Sequence, residues 1–442
     1  MELKKEILRK IVPSADEQRR IDKAVDDLIQ TTKEIAESRN LSFKSLLVGS
    51  IAKGTHLTDP DIDLFLKFPT DVPVEEIGRI DKEIGREILE KPEERYAEHA
   101  YISGVWQGLR TDLVPCYDIL SGRGKISAVD RTPFHTKYVQ EYLRAHQKNE
   151  VRIFKQFLRG IGAYGAEAKI QGFSGYLCEI MILKFGGFDR VIAAAAKWKA
   201  QVRLQLDEEA SRSFDEPFVF VDPVDPSRNV ASPISIEKLD LFIRACRAYN
   251  KKPSLRFFFP KIRKAISDSA LTKEISSFPG TVLLELPGLD VVDDVLWPQL
   301  RKTGVSVFEI FEREGFRPKK LTLDSDAGKN LIIVTCAVSD LPDRYVHIGP
   351  PKGSPEAENF LNKWRRRGIS EPVLKKGRWQ VEVERKERAL KDVLLKQFSA
   401  IRLGKGFRQI KKPKISSGKD LMLKKYRKAL TMHFDERMPW ER

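Results

Sequence analysis

From Thr58 to Phe68 the chain reads TDPDIDLFLKF, and the pattern of its last seven residues leaves few folds open. A period of two predicts a strand over 62–68, with Ile62 and Leu64 on one face and Asp61 and Asp63 on the other. Two carboxylates this close repel, and burying them is costly unless something positive intervenes. A divalent cation is one solution, since Mg²⁺ is commonly held by one or two carboxylates plus substrate phosphates. A solvated strand end, with Asp-Pro-Asp as a plain turn, is the other.

The surroundings favour the first. FKSLLV (43–48) reads as a strand ended by Gly49, VEEIGRIDKEIGREIL (74–89) as a helix, and VWQGLRTDLV (105–114) as a third strand stopped by Pro115. Asp112 on that strand supplies a third carboxylate, enough for two ions flanking a phosphoryl transfer. The Gly49-Ser50 turn offers amide protons and a hydroxyl where a short helix begins, a setting that suits phosphate. Lys53 lies one helical turn on and reaches the same oxygens. No G-x-x-x-x-G-K-S/T occurs, so this is not a P-loop. A capping box, Ser14 with Glu17, opens an amphipathic helix carrying Ile21, Val25, Leu28, Thr32 and Ile35. Together these segments predict a small mixed α/β domain over 1–130.

Helical patterns follow. Thr132-Pro133 reads as a cap and first helical position, then VRIFKQFLRGIG, GYLCEIMILKFGG, FDRVIAAAAKWKA and ISIEKLDLFIRACRAY continue the series to about 255. FVFVDPVDPSRNVA (218–231) interrupts it as a strand or loop. Beyond 255 strand signals return in LRFFF, TVLLELP (281–287), NLIIVTCAV (330–338) and WQVEVER, with a helix over 299–315. The expectation is a multidomain α+β chain: a domain at 1–130, a helical domain at 131–255, and an α+β region at 256–442 with an internal boundary near 345.

Charge separates these regions. The net charge is +16, yet residues 361–442 hold 25 Lys+Arg against 9 Asp+Glu, so the first 360 residues balance. A basic face in one region suggests a polyanion, with nucleic acid ahead of an acidic membrane because no strongly amphipathic stretch accompanies the charge. No run of about 18 apolar residues exists to span a membrane, and the charged first residues do not resemble a secretory signal. The four cysteines (116, 178, 246, 336) lack zinc-ligand spacing and fit free thiols in a reducing cytoplasm.

Gly49-Ser50, Asp61-Ile62-Asp63 and Asp112 together resemble the signature of the polymerase-β-like nucleotidyltransferases. RYAEHAYISG (95–104), DLVPCYDI (112–119), SAVDRTPFHTKY (127–138), GAYGAEAKIQGFSGYLCE (162–179), FVFVDPVDPSRNVA (218–231) and DDVLWPQL (293–300) are similar to the class I, archaeal CCA-adding enzymes, or tRNA nucleotidyltransferases. The match covers roughly residues 1–340 well and the remainder loosely. It implies a nucleotidyltransferase catalytic domain with a mixed sheet, a helical central domain, and α+β body and tail domains that bind RNA. It also implies template-independent addition of C-C-A to tRNA from CTP and ATP, with two Mg²⁺ ions and pyrophosphate release.

Carried over by motif, Asp61, Asp63 and Asp112 are the expected metal ligands, and Ser50 and Lys53 triphosphate contacts. His135, Lys155 and Tyr164 are expected to meet the nucleotide, Arg228 the incoming base, and His99 the site wall, with Gly49 structural. Read alone, Lys155 is a solvated helical lysine, His135 a surface histidine, Tyr164 a helix-turn cap, and Arg228 an ion-pair partner of Asp222 or Asp225. Relatives often carry Glu at the position of Asp61 and Arg at that of Lys53, which alters ion placement and removes a bidentate fork. A homodimer is left open. The alternatives are a poly(A) polymerase or other RNA-tailing transferase, and a catalytically silent RNA-binding protein; an aminoglycoside-type transferase needs neither the long C-terminal half nor its charge.

Overall fold

The computed structural model describes residues 2–96, 100–121, 124, 127–199, 201–207, 209–326 and 328–442. The backbone groups into two units, Met1–Ile262 with Arg437–Arg442, and Arg263–Glu436. No helix among the described residues is long and apolar enough to cross a membrane.

The first unit begins with α1 (Glu2–Ile11) and α2 (Ala15–Ser38), the latter opened by the Ser14–Glu17 capping box. Next come β1 (Lys44–Leu47), the short α3 (Gly49–Lys53), β2 (Ile62–Phe68), α4 (Val74–Ile88), β3 (Glu90–Tyr96), β4 (Ala100–Trp106) and β5 (Leu109–Tyr117). The strands form one mixed sheet in the order β1-β2-β5-β4-β3, in which only β2 and β5 run parallel. Period-two burial sorts its faces. Ile62, Leu64, Leu66 and Phe68 pack with Leu113, α2 and α4, while Phe65 joins Val48, Val114 and Cys116 on the opposite side.

The strand expected over 105–114 is instead a hairpin. Gln107 and Gly108, at φ 48° and 79°, make the turn between β4 and β5, the two left-handed residues that a tight hairpin favours. Pro115 does not end the strand but lies within β5 opposite Leu66.

The helical part comprises α5 (Thr132–Tyr142), α6 (Ala145–Ile161), α7 (Gly175–Phe185), α8 (Phe188–Ala195) and α9 (Ile236–Lys251), with the short strands β6 (Val202–Leu204) and β7 (Phe218–Phe220). Thr132 is not a cap: it is already helical at φ −60° and ψ −40°, directly after a 3₁₀ turn over Ala128–Arg131. These helices surround Phe154, Phe157, Phe173, Phe188 and Phe242, and Ile7 and Ile11 of α1 join that core. The LRFFF segment, expected as a strand, is a 3₁₀ turn at Leu255–Phe257 that sinks Phe257 and Phe258 into the same core. Gly160 of α6 permits it, because a Cβ there would stand 2.1 Å from the Phe257 carbonyl oxygen. A short apolar run cannot declare its own period.

The second unit contains α10 (Asp268–Ser277), β8 (Thr281–Pro287), α11 (Asp293–Glu314), β9 (Pro318–Asp326), β10 (Lys329–Cys336), β11 (Arg344–Pro351), α12 (Ala357–Trp364), β12 (Val373–Lys375), β13 (Arg378–Glu384), α13 (Leu390–Lys396), β14 (Lys414–Ser417) and α14 (Arg427–Phe434). The helix expected from 299 starts earlier, at Asp293, with Pro298 inside it. Two sheets form, ordered β14-β8-β10-β9 and β11-β13-β12, and α12 covers the second through Phe360. The basic end of the sequence folds into this unit. β14 pairs with β8 over Lys414↔Glu285 to Ser417↔Val282, and Leu421, Tyr426 and Leu430 are fully buried beside Leu283 and Ile333. Its lysines alternate with core residues, so sequence charge alone concealed its structural part.

Candidate active site

The site is built where β1 hands over to α3. Val48 is buried and donates its amide to the Asp63 carbonyl at 2.9 Å. Gly49 then turns the chain at φ +71°, and a Cβ at this position would lie 1.8 Å from Asp63 Oδ2. Only glycine therefore fits where the backbone lies against the carboxylate. Gly54, at φ +65°, ends α3 one turn later.

Asp63 on β2 stands directly opposite Asp112 on the parallel neighbour β5. Their face is not the one packed on α2 and α4, since the flanking Ile62, Leu64, Thr111 and Leu113 are the buried residues there. Ser103 of β4 donates its hydroxyl to Asp112 Oδ1 at 2.6 Å, orienting that carboxylate. Asp61 lies just before β2, exposed. Desolvation, followed by the Asp112 and Asp61 charges, pushes the Asp63 carboxyl up to about 7, while Lys53 and Lys155 oppose the rise. Uncompensated negative charge of this kind attracts a cation. Among the described residues no three His, Cys, Asp or Glu side chains are gathered into a preformed metal-ligand group.

A cleft of about 280 Å³ opens beside the carboxylates, and Gly49, Ser50, Asp61 and Asp63 line it. Lys53, Lys155 and Tyr164 line it too, as do Arg159, Tyr176 and Glu179. Lys155 projects from α6 and donates to the Thr55 carbonyl at 3.2 Å and the Thr55 hydroxyl at 3.1 Å. Tyr164 follows the left-handed cap of α6 at Gly162 and is bridged to Phe173. The Arg159 guanidinium lies over its ring, 5.2 Å from the centroid. Burial raises the Tyr164 phenol above its ordinary value, so the hydroxyl stays protonated as a donor.

His135 and Arg228 meet elsewhere, at Asp222. This fully buried carboxylate accepts from His135 Nε2 at 2.8 Å, Arg228 Nη1 at 2.9 Å, the Tyr176 hydroxyl at 3.2 Å and the Val224 amide at 3.0 Å. Burial alone would raise the Asp222 carboxyl, but these donors hold it well below the usual carboxylate range. Burial also holds His135 below the ordinary imidazole value. The His135 ring stacks on Tyr176 with centroids 4.0 Å apart, and Tyr176 itself forms part of the cleft wall. The ion pair open to Arg228 is thus made with Asp222; Asp225 pairs instead with Arg131 at 3.2 Å.

Of the residues singled out from the sequence, seven line the cleft, Asp112 faces Asp63 across the ladder, and His135 and Arg228 cluster behind Tyr176. His99 lies outside the described residues. Sequence reasoning missed Thr55, Arg159, Tyr176 and Glu179, and named Asp222 only as an ion-pair partner of Arg228, without its bonds to His135 and Tyr176. The signal available for Glu179 and Asp222 was a lone carboxylate in apolar company, as in CEIMI and FVFVD.

Comparisons with known proteins agree with this layout. A nucleotidyltransferase domain matches residues 29–135, the second domain of tRNA nucleotidyltransferase matches 149–259, and the C-terminal domain of CCA-adding enzyme matches 277–418. The CCA-adding enzyme of Thermoplasma acidophilum is 36% identical over 409 residues, covering 92% of both chains. That of Picrophilus torridus is 34% identical over 407 residues, 92% of this chain and 93% of the other. That of Methanosarcina barkeri is 34% identical over 418 residues, 92% and 91%. With similarity sustained from the paired aspartates through the C-terminal unit, the chain belongs to the archaeal CCA-adding enzyme family.

Proposed function

We propose that this chain adds the terminal C-C-A of tRNA from CTP and ATP without a template, releasing pyrophosphate. One observation carries the reading: Asp63 and Asp112 face the same side of a parallel ladder, and a glycine turn presses its backbone against Asp63 beside a lysine-lined cleft. Asp61, Asp63 and Asp112 are hard oxygen donors of the kind Mg²⁺ takes, and one or two of them together with substrate phosphates would hold the ion. When bound, Mg²⁺ supplies charge neutralisation at the attacking and leaving oxygens.

The chain's own groups do the rest. Ser50 and Lys53 bind the triphosphate, the Lys155 charge adds to their attraction, and Tyr164, backed by Arg159, supports the nucleotide. His135 and Arg228, oriented through Asp222, select the base, because a buried polar group left unpaired penalises the wrong nucleotide. The RNA is held through its phosphates and folded shape. In the second unit, a groove of about 980 Å³ supports that contact: Lys302, Lys396, Arg402, Arg408, Lys411 and Lys412 are among its lining residues, and among the described residues no acidic one lines it. A tRNA substrate and four buried free thiols suit a cytoplasmic setting.

The test is transfer to tRNA lacking its 3′ CCA and to tRNA ending in CC, each nucleotide offered separately. Two C additions followed by one A, then arrest, are expected. Continued A addition on either RNA would make the chain a poly(A) polymerase, and no incorporation would make it a silent RNA-binding protein.

A further inference from the structure

Glu179 is fully buried in α7 between Cys178 and Ile180, also fully buried. A carboxylate in such a place is costly unless charged donors surround it. Two charged donors and one hydroxyl do so from two other parts of the chain. Lys53 Nζ donates to Oε2 at 2.5 Å, the Thr55 hydroxyl to Oε1 at 2.6 Å, and Lys155 Nζ to the same Oε1 at 3.3 Å. Burial would raise the Glu179 carboxyl, but the two lysines hold it below its ordinary value. It therefore stays ionised.

The geometry divides the work unequally. Lys155 Nζ has its three protons engaged by Glu179 and by the Thr55 carbonyl and hydroxyl, so from the cleft wall it acts on an anion through its charge. Among the described residues Lys53 Nζ has Glu179 alone as an acceptor. Two of its protons are left for the cleft, where it lies 6.0 Å from the Tyr176 ring centroid. Without the carboxylate, two like charges would share a narrow cleft on long, floppy stems. With it, the stems are ordered before any anion enters, and the trio of Lys53, Lys155 and Glu179 carries one net positive charge.

We propose that Glu179 is a positioning residue, holding the Lys53 and Lys155 ammonium groups as one preorganised clamp for the triphosphate common to CTP and ATP. This rests on the reading that the two lysines meet the nucleotide's phosphates. Preorganisation removes an ordering cost from binding, so the carboxylate acts on both nucleotides alike and has no part in choosing the base.

The experiment measures kcat and KM for CTP on tRNA lacking CCA and for ATP on tRNA ending in CC, with melting curves, for full-length variants. Glu179→Gln keeps the shape and removes the charge. It should lower kcat/KM by about ten- to a hundred-fold, mostly through KM and by the same factor for both nucleotides. Lys155→Met should cost about tenfold in the wild-type background and under about threefold in the Glu179→Gln background, because linked groups are not additive. A merely structural glutamate would instead give losses that multiply. If Glu179→Gln does not fold, Thr55→Val carries the test, removing the hydroxyl between Glu179 and Lys155; about three- to tenfold loss is expected. A folded variant of either kind within twofold of wild type, unequal losses for CTP and ATP, or multiplying losses would overturn the proposal. If Lys53→Met and Lys155→Met leave nucleotide KM unchanged, it is the phosphate reading of the lysines that falls.

Discussion

Replacing Gly49 with alanine tests the catalytic face through a single methyl group. The new Cβ would lie 1.8 Å from Asp63 Oδ2 and 2.7 Å from its Cγ. The carboxylate must retreat by roughly 1.6 Å to regain ordinary contact at 3.4 Å. The φ of +71° adds about 1–2 kcal/mol of strain for any L side chain. Misplacing a reacting group by about 1 Å costs roughly a hundredfold in rate, so kcat/KM for CTP should fall by about that factor or more. Gly54 separates strain from collision. It has nearly the same φ, +65°, but the nearest atoms its Cβ would meet belong to the flexible Lys148 side chain, the closest at 3.1 Å. Gly54→Ala therefore shares the strain and leaves Asp63 alone. Both variants should melt a few degrees lower, while single-nucleotide incorporation falls sharply only for Gly49→Ala. Equal incorporation by the two would refute the argument that Gly49 exists to admit the Asp63 carboxylate.

Asp63→Ala and Asp112→Ala should each lower incorporation by about a hundred- to a thousand-fold at saturating CTP and Mg²⁺, with tRNA retention on filters unchanged; near-normal turnover removes them from catalysis. Arg228→Ala should lower kcat/KM by roughly ten- to a hundred-fold and alter the ratio of CTP to ATP use. An unaltered ratio with a lowered melting temperature would leave Arg228 as a clamp on Asp222. His433 is buried between Thr335 and Thr322, at 2.7 Å and 2.8 Å, and burial, with Lys320 next, lowers its pKa to about 3. Because the folded value is depressed, stability is full above the unfolded value of 6.5 and falls as pH drops. The loss is about 2 kcal/mol between pH 7 and 5. His433→Gln should flatten this slope in β9 and β10 amide exchange, and an unchanged slope contradicts the assignment. Arg408, Lys411 and Lys412 changed together to glutamine should reduce the slope of log Kd for tRNA against log salt by about 2–3, and a parallel line would exclude the groove from the RNA footprint.

Strands and helices with long, regular patterns were legible because their determinants are local. The alternation in IDLFLKF placed Asp63 opposite the apolar face, and Ser14 with Glu17 announced α2. The same short-range logic failed at LRFFF, where five residues cannot separate a strand from a 3₁₀ turn, and at Gln107-Gly108, whose turn was taken for strand. The β14–α14 segment failed for another reason. Its lysines are interspersed with its core residues, and only the pairing with β8 reveals that Ile415, Leu421 and Leu430 are buried. Spacing from the Gly49-Ser50 turn brought forward Lys53, and the family resemblance Lys155, but neither showed what orients them. Glu179 lies 126 residues from Lys53, and Asp222 lies 87 from His135. No local pattern encodes such a partner. A buried charge must find an opposite charge somewhere, and which one it meets depends on how the helices pack around it.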